Sequence, residues 1–440
     1  MLKRKLVAAT LALLSCILLE AQNNIQSPFS RYGVGDLVPN GTVAQRALGS
    51  TGIALNPREQ INLINPAHAV FLSAPVFNVS GTSSFTTING FGSTYKQSYS
   101  GLNSISLAFP VQNKWAFQFG LRPYSNIGYD LQTTTQVDTN TVFANYSGSG
   151  GTKNVFLAIA YDFFSKSDST HFVISAQFDH YFGPLTQTRS LFTDALPNGY
   201  GIRDERNANL NGSGPKLGVL YTFYPNKTKP LEILAGATYH APVKLSGEQE
   251  IYSYTFLRNF NLTPVPEDTI AYTQTDNNSL RIPQKFGLGI GLNWKDKLRL
   301  GIDYTVQDWS NFEQSFEQDR LDGSFRKFSR LSFGAHYTPS SNILFNEPLW
   351  NFITYSVGAW TSESYVNYND NLIREFGTSF GLRFPFRKSR SYSSLQIGME
   401  YVVRGYVSQN LIQEKNTRII FGLNLSPNFL DRWFYKRKYD

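Results

Sequence analysis

Cysteine is almost absent: Cys16 is the only one in 440 residues. It falls in an N-terminal apolar stretch, so a chain cut after that stretch holds no thiol. Disulfides and cysteine metal sites are thereby excluded, as suits a chain that crosses an oxidising periplasm. Long apolar runs are missing too. Beyond the N-terminus no 18-residue apolar run occurs, so no membrane-spanning helix is expected. Histidines number five in all. His171, His180 and His240 have no evident partner set, and with His68 they form no metal-ligand spacing. No glycine loop has phosphate-cradling spacing. Ser332 and His336 would share a strand face, but four residues of strand is about 13 Å, too far for a serine–histidine pair. No enzyme activity, metal or cofactor is expected.

The N-terminus reads as a secretion signal. Lys3, Arg4 and Lys5 precede an apolar stretch from Leu6 to Leu19, the length of a signal h-region. Residues 1–21 are assigned to the signal, with cleavage after Ala21. Leu13-Leu14-Ser15-Cys16 faintly resembles a lipoprotein box, but Ile17, Leu18 and Leu19 continue the apolar run where a lipoprotein would turn polar.

The body of the chain alternates. Leu298, Leu300, Ile302, Tyr304 and Val306 fall on one face of a strand; Arg299, Gly301, Asp303, Thr305 and Gln307 fall on the other. The pattern returns at 115–122, 155–161, 172–178, 286–293 and 395–402. Many such strands behind a secretion signal point to a closed barrel in the bacterial outer membrane. Only alternate residues of such a barrel meet lipid, so a mean hydropathy of −0.27 conceals the membrane face. Aromatics make up 15% of the chain, which suits girdles at the two membrane interfaces. The net charge of +8 sits largely in short turns, at Lys114, Lys166, Lys227, Lys229, Lys295, Lys297, Arg387, Lys388 and Arg390. That placement argues against nucleic acid and for turns near anionic headgroups.

Short turns at about 111–114, 164–170, 225–230, 295–297, 339–350 and 387–391 alternate with long loops at about 87–99, 126–150, 184–213, 245–280, 313–324, 364–373 and 406–414. Six turns and seven loops join about fourteen strands, and an even count leaves both ends on the periplasmic side. The expected fold is all-β: a transmembrane antiparallel barrel over residues 76–426, then a periplasmic tail at 427–440. Residues 22–75 carry too many Gly and Pro for regular elements. Because a barrel of fourteen strands has a lumen to fill, they are assigned to a plug.

Arg46-Ala47-Leu48-Gly49 through Asn65-Pro66-Ala67 resembles the hatch of the FadL/TodX-type outer-membrane transporters of hydrophobic compounds. Gly120-Leu121-Arg122-Pro123-Tyr124-Ser125-Asn126-Ile127-Gly128-Tyr129 is similar to the segment after their third strand. The resemblance implies passive uptake of hydrophobic small molecules such as long-chain fatty acids, with a ligand bound near the hatch and released sideways to outer-membrane lipid at a kinked third strand. Pro123 and Tyr124 would form that kink. Asn65, Pro66 and Ala67 would fix a hatch turn, and Phe29 and Tyr32 would line a ligand pocket. The inward charges Arg122, Arg299, Asp303, Arg383 and Glu400 would pair with one another and with the plug. An alternative use of such a barrel is as a non-transporting subunit of an outer-membrane secretion or assembly complex, bound to other outer-membrane proteins. Polar loops and the lack of a clear apolar groove suit this alternative. An apolar tunnel leading to a gap beside the third strand would separate the two readings.

Overall fold

The computed structural model describes residues 27–426 except 56, 58, 91, 112–113, 165–169, 194–199, 226–230, 258–264, 317–322, 341–347, 369–370, 387–391 and 408–411. The expected signal at 1–21 and tail at 427–440 lie outside the described residues.

Fourteen antiparallel wall strands close a barrel. They are β1 (Val76–Gly90), β2 (Ser93–Val111), β3 (Trp115–Pro123, continuing as Ser125–Val137) and β4 (Asn140–Gly150, then Lys153–Asp162). Next come β5 (Thr170–Thr193), β6 (Tyr200–Phe223), β7 (Leu231–His240, then Val243–Leu257) and β8 (Pro266–Ile282, then Lys285–Trp294). The ring is completed by β9 (Leu298–Asp308), β10 (Lys327–Tyr337), β11 (Thr354–Tyr368), β12 (Asn371–Pro385), β13 (Ser394–Arg404) and β14 (Gln413–Leu425). Closure comes from β1, which pairs with β2 on one side and with β14 on the other, from Phe77–Leu425 to Asn89–Gln413. In hydrocarbon every backbone donor and acceptor needs a partner within the protein, and closure leaves no edge there.

The alternation of the sequence becomes two surfaces. Ile290, Ile302 and Phe333 stand in register on β8, β9 and β10 and all three are exposed, Ile290 by 64%. Leu157, Phe178, Val357, Phe380, Met399 and Phe421 extend this apolar belt around the barrel. Aromatic side chains border it. Trp115 packs on Tyr161 with ring centroids 4.4 Å apart beside the turn end of β3 and β4, and Trp294 ends β8 at the same rim. Tyr239 and Phe286, 4.9 Å apart, lie at the opposite rim.

Several of the expected long loops are ladder. β5 and β6 stay paired from Thr170–Phe223 to Leu191–Ile202. The upper parts of β3 and β4 pair from Ile127–Gly150 to Val137–Asn140, and β7 pairs with β8 up to Phe256–Pro266. These hairpins form an upper tier above the belt. Both faces of the β3–β4 hairpin tip meet water, so the apolar alternation that betrays a half-buried strand is absent there. Gln132, Thr133, Thr134, Thr135 and Gln136 are all exposed. Backbone pairing organises this tip, while Leu185, Ala208, Leu210 and Leu245 of the neighbouring hairpins are buried.

The tiers join at breaks. Tyr124 interrupts β3 after Pro123, Gly151 and Thr152 interrupt β4, and Pro242 and Pro283 fall at the breaks in β7 and β8. The N–H groups of Tyr124 and Ser125 both donate to the Thr152 carbonyl, at 2.8 and 3.1 Å. This bend has a consequence for the wall. The β2–β3 ladder runs only from Ile105–Leu121 to Val111–Trp115. Above it the two strands part, leaving a seam whose base is occupied by a two-residue strand, Asp36–Leu37, paired with Asn126 and Ser125.

The belt carries a quantitative expectation. Ile290→Arg should destabilise folding in vesicles by about 2–4 kcal/mol, whereas Thr134→Arg, above the belt, should cost about 0–1 kcal/mol. Urea titration of the folded, heat-modifiable band checks both.

Candidate functional site in the lumen

Residues 27–75 lie inside the barrel. They contain only brief elements: 3-10 turns at Pro28–Arg31 and Pro66–Phe71, the Asp36–Leu37 strand, and one helical turn at Val43–Arg46. Thr42 and Gln45 form a capping box at the helical turn, which satisfies donors that so short a helix would leave open. Val43, Ala47, Leu48, Ile53, Leu55, Ile61 and Leu63 are all buried.

The wall makes room with glycine. Gly291, Gly301, Gly334 and Gly358 stand side by side in register across β8 to β11. Their inward sides meet residues 48–55: a Cβ on Gly358 would overlap Leu48 and Gly49, and one on Gly334 would lie 2.8 Å from the Leu48 carbonyl. Two backbones approach here because neither has a side chain between them.

Hydrogen bonds then fix the segment. The Arg46 guanidinium donates to both Glu400 carboxylate oxygens, at 2.9 and 2.6 Å, and to Asn103 at 2.8 Å. This joins the segment to β13 and β2 at once. Asp303 accepts the N–H groups of Gly52 and Ile53 at 2.7 and 2.8 Å. Ser379 accepts from the Gly49 N–H and donates to the Ala47 carbonyl, both at 2.9 Å. Arg122 donates to the Leu63 carbonyl at 2.9 Å and to Asn40 at 2.5 Å. Nearer the outer side, Arg404 meets Asp36 at 2.8 Å and also faces Glu375 and Glu414 at 3.6 and 3.7 Å. Ser27 donates to Glu414 at 2.5 Å. Of the inward charges singled out from the sequence, Arg122, Asp303 and Glu400 thus hold the segment. Arg299 reaches Asp296 at 3.4 Å, and Arg383 donates to Ser394 at 3.2 Å.

The residues proposed from sequence fall in three places. Phe29 and Tyr32 are buried in an outer cluster with Trp309, Tyr365, Leu245 and Ile282, where the Tyr365 hydroxyl donates to the Tyr32 and Gly35 carbonyls at 3.0 and 2.5 Å. They are not among the residues that line the cavity beside Pro123 and Tyr124. Asn65 caps the Pro66–Phe71 turn by accepting the Ala67 N–H at 3.2 Å, and donates to the Ile53 and Val219 carbonyls at 2.8 and 3.1 Å. His68 on this turn is buried, and desolvation pushes its pKa down to about 3, which keeps it neutral. Pro123 ends the lower part of β3. Tyr124 packs edge-on to Tyr181 with centroids 4.9 Å apart. Sequence reasoning missed Arg46 as an ion-pair partner, Arg404 and the glycine row.

One cavity of about 240 Å³ lies between the segment and the wall. Pro123 and Tyr124 line it, as do Val38, Ile53, Ile64, Tyr181 and Ile282. Arg46, Arg122, Lys285, Arg330, Arg404 and Arg418 face it too, together with Asp36, Asp303, Glu375 and Glu414. A second cavity of about 290 Å³ lies at the turn end, bordered by His68, Phe71, His171, Glu232 and Arg299. Among the described residues no group of His, Cys, Asp and Glu is placed to hold a metal ion. The lining is mixed, with charged and apolar side chains both facing the space.

The family model that matches is BamG, over residues 1–440. The chain belongs to the BamG family. No curated protein matches it. Among solved structures it is similar to the CymD monoaromatic hydrocarbon channel, at 14% identity and a TM-score of 0.55, covering 90% of this chain and 98% of that one. It is also similar to the Pseudomonas putida toluene transporter TodX, at 14% identity and 0.55, covering 89% and 99%. A Pseudomonas aeruginosa FadL homologue matches at 12% identity and 0.54, covering 90% and 100%. At such identities the likeness establishes the fold, and this BamG-family chain has the fold of the FadL-like hydrophobic-compound channels.

Two substitutions test the lumen. Glu400→Gln leaves Arg46 buried without its counter-charge and should cost about 3–5 kcal/mol, while Arg46→Met with Glu400→Leu should cost less. Denaturant titration reads both. Gly358→Val should expel residues 47–50, making the N-terminal segment trypsin-sensitive while the barrel keeps its folded mobility.

Proposed function

We propose that this BamG-family chain is an outer-membrane barrel that serves as a non-transporting subunit of a secretion or assembly complex and docks other outer-membrane proteins. The observation that carries the reading is the character of the lumen. The N-terminal segment is tied to the wall by buried ion pairs and hydrogen bonds on β2, β3, β9, β12 and β13. The space left beside it is bordered by ten acidic and basic side chains as well as by apolar ones such as Val38, Ile53 and Ile282. A hydrophobic solute gains little beside such groups, because it offers none of the hydrogen bonds that acidic and basic side chains need. The apolar side chains that could form a greasy path, Phe29 and Tyr32 among them, are packed against one another. The apolar belt and closed ladder suit the bacterial outer membrane.

A second reading has its own observation. The seam beside β3 opens where FadL-type uptake would release a ligand, and the similar solved structures are titled as hydrocarbon and toluene channels or transporters. On this reading Asn65, Pro66 and Ala67 belong to the hatch, Pro123 and Tyr124 to the kink, and Phe29 and Tyr32 to a pocket that opens on hatch movement. The ligand class would be hydrophobic small molecules, long-chain fatty acids included, passed to outer-membrane lipid.

Native mass spectrometry after gentle extraction from the source membrane separates the two. The expected result is a stoichiometric complex with other outer-membrane proteins and no small-molecule adduct in the lumen. A lone barrel carrying one hydrophobic adduct would overturn the docking reading and support uptake.

A further inference from the structure

The seam leaves a strand edge with defined polarity. The Gly128 N–H donates to the Ser30 hydroxyl at 3.0 Å, and the Gly128 carbonyl accepts the Ser27 N–H at 3.0 Å. The Tyr124 carbonyl accepts the Val38 N–H at 2.9 Å. Even-numbered residues of this strand therefore turn their backbone groups toward the seam, and odd-numbered residues turn theirs toward β4. The even set continues upward through Asp130, Gln132, Thr134 and Gln136. Their strand pairs with β4 on one side, and among the described residues no strand pairs with it on the other above Gly128.

Exposed edges of this kind are normally blunted by Lys, Pro, bulges or a covering segment. The other open edges of the upper tier carry such devices: β2 holds Lys96, and β8 starts at Pro266, shifts register against β7 at three points and is covered at its base. On β8 the Arg281 N–H donates to Glu313, the Ser279 carbonyl accepts from Ser315, and Leu280 bridges to Gln314. From Gly128 to Val137 the β3 edge has no Lys, Arg or Pro, and its ladder to β4 is unbroken. Thr133, Thr134 and Thr135 are β-branched and favour extended backbone. The chain's own Asp36–Leu37 already lies on the base of this edge as an antiparallel strand, so the geometry accepts strand addition.

We propose that the seam-facing edge of β3, from Asp130 to Gln136, binds an extended segment of a partner outer-membrane protein by strand addition. The proposal rests on the docking reading and names the place and mode of one contact. Recognition would come from main-chain hydrogen bonds to the even-numbered residues, with sequence preference supplied by the side chains that flank them.

Proline substitution tests the mode. Gln132→Pro with Thr134→Pro removes two seam-facing N–H groups and leaves the ladder to β4 intact, as proline at an edge permits. A photo-crosslinking residue at Thr133 in the native membrane reports the partner, and Gln132→Ala with Thr134→Ala is the control. The expected result is a crosslink to one defined protein that falls about tenfold in the proline pair and persists in the alanine pair, with folded mobility unchanged in both. Crosslinks confined to lipid, or a protein crosslink indifferent to proline, would overturn the proposal. A complex that survives native extraction without any seam crosslink would leave the docking reading standing and remove this contact from it. If the proline pair fails to fold, Thr134→N-methyl-threonine, introduced by codon suppression, removes one donor alone and is judged by the same crosslink.

Discussion

A guanidinium at the centre of a barrel must find its counter-charge there, because water does not follow it in. Arg46 meets this requirement through Glu400 and Asn103, on strands that lie on either side of the closing β14–β1 pair. The rest of the interior follows from that arrangement. Asp303 is a buried carboxyl group whose Oδ2 accepts two backbone N–H groups of the segment. Arg404 gathers Asp36, Glu375 and Glu414 near the outer side. Each is costly alone and acceptable in company, so the segment and the wall depend on each other. An empty barrel of this sequence would expose several uncompensated charges, and a free segment would have no core of its own.

Much of the wall was legible because lipid imposes a two-residue period. Leu298 to Val306 alternates since one face meets hydrocarbon and the other meets the segment. The short basic turns marked the strand ends, and the count of fourteen follows from them. Glu248 to Leu257 reads as strand in the sequence and is one, but the upper β3–β4 hairpin was not legible for the converse reason: Gln132 to Gln136 faces water on both sides, and nothing in side-chain hydropathy separates paired from unpaired backbone there. The glycine row was visible but unread. In Phe286-Gly287-Leu288-Gly289-Ile290-Gly291-Leu292 every inward position is glycine, which signals a backbone approaching from inside. Gly301, Gly334 and Gly358 extend the same signal to neighbouring strands. Arg46 gave no such sign, since its partners lie 57 and 354 positions away.

The fold leaves the use of the barrel open, and the character of its interior bears on that use. FadL-like architecture supplies a closed wall, an interior segment and a seam beside β3. Whether such a barrel conducts depends on what faces the path. Here many apolar side chains are packed together, around Trp309 and Tyr365 on the outer side and around Leu63 and Leu220 on the other. Acidic and basic side chains border the remaining space, together with Val38, Ile53 and Ile64. On the proposed reading the same scaffold is a rigid body whose open strand edge serves as a surface for proteins.

The central claim is that residues 27–75 are a fixed part of the barrel core. Because the chain beyond residue 16 holds no cysteine, spin labels at Ser50→Cys and Ser364→Cys can be placed without background. The distance between them, measured by double electron–electron resonance in native membranes, should be a single narrow distribution, unchanged by toluene or oleate. A broad distribution, or one that shifts when either compound is added, would show a segment that moves to pass ligand and would contradict the account.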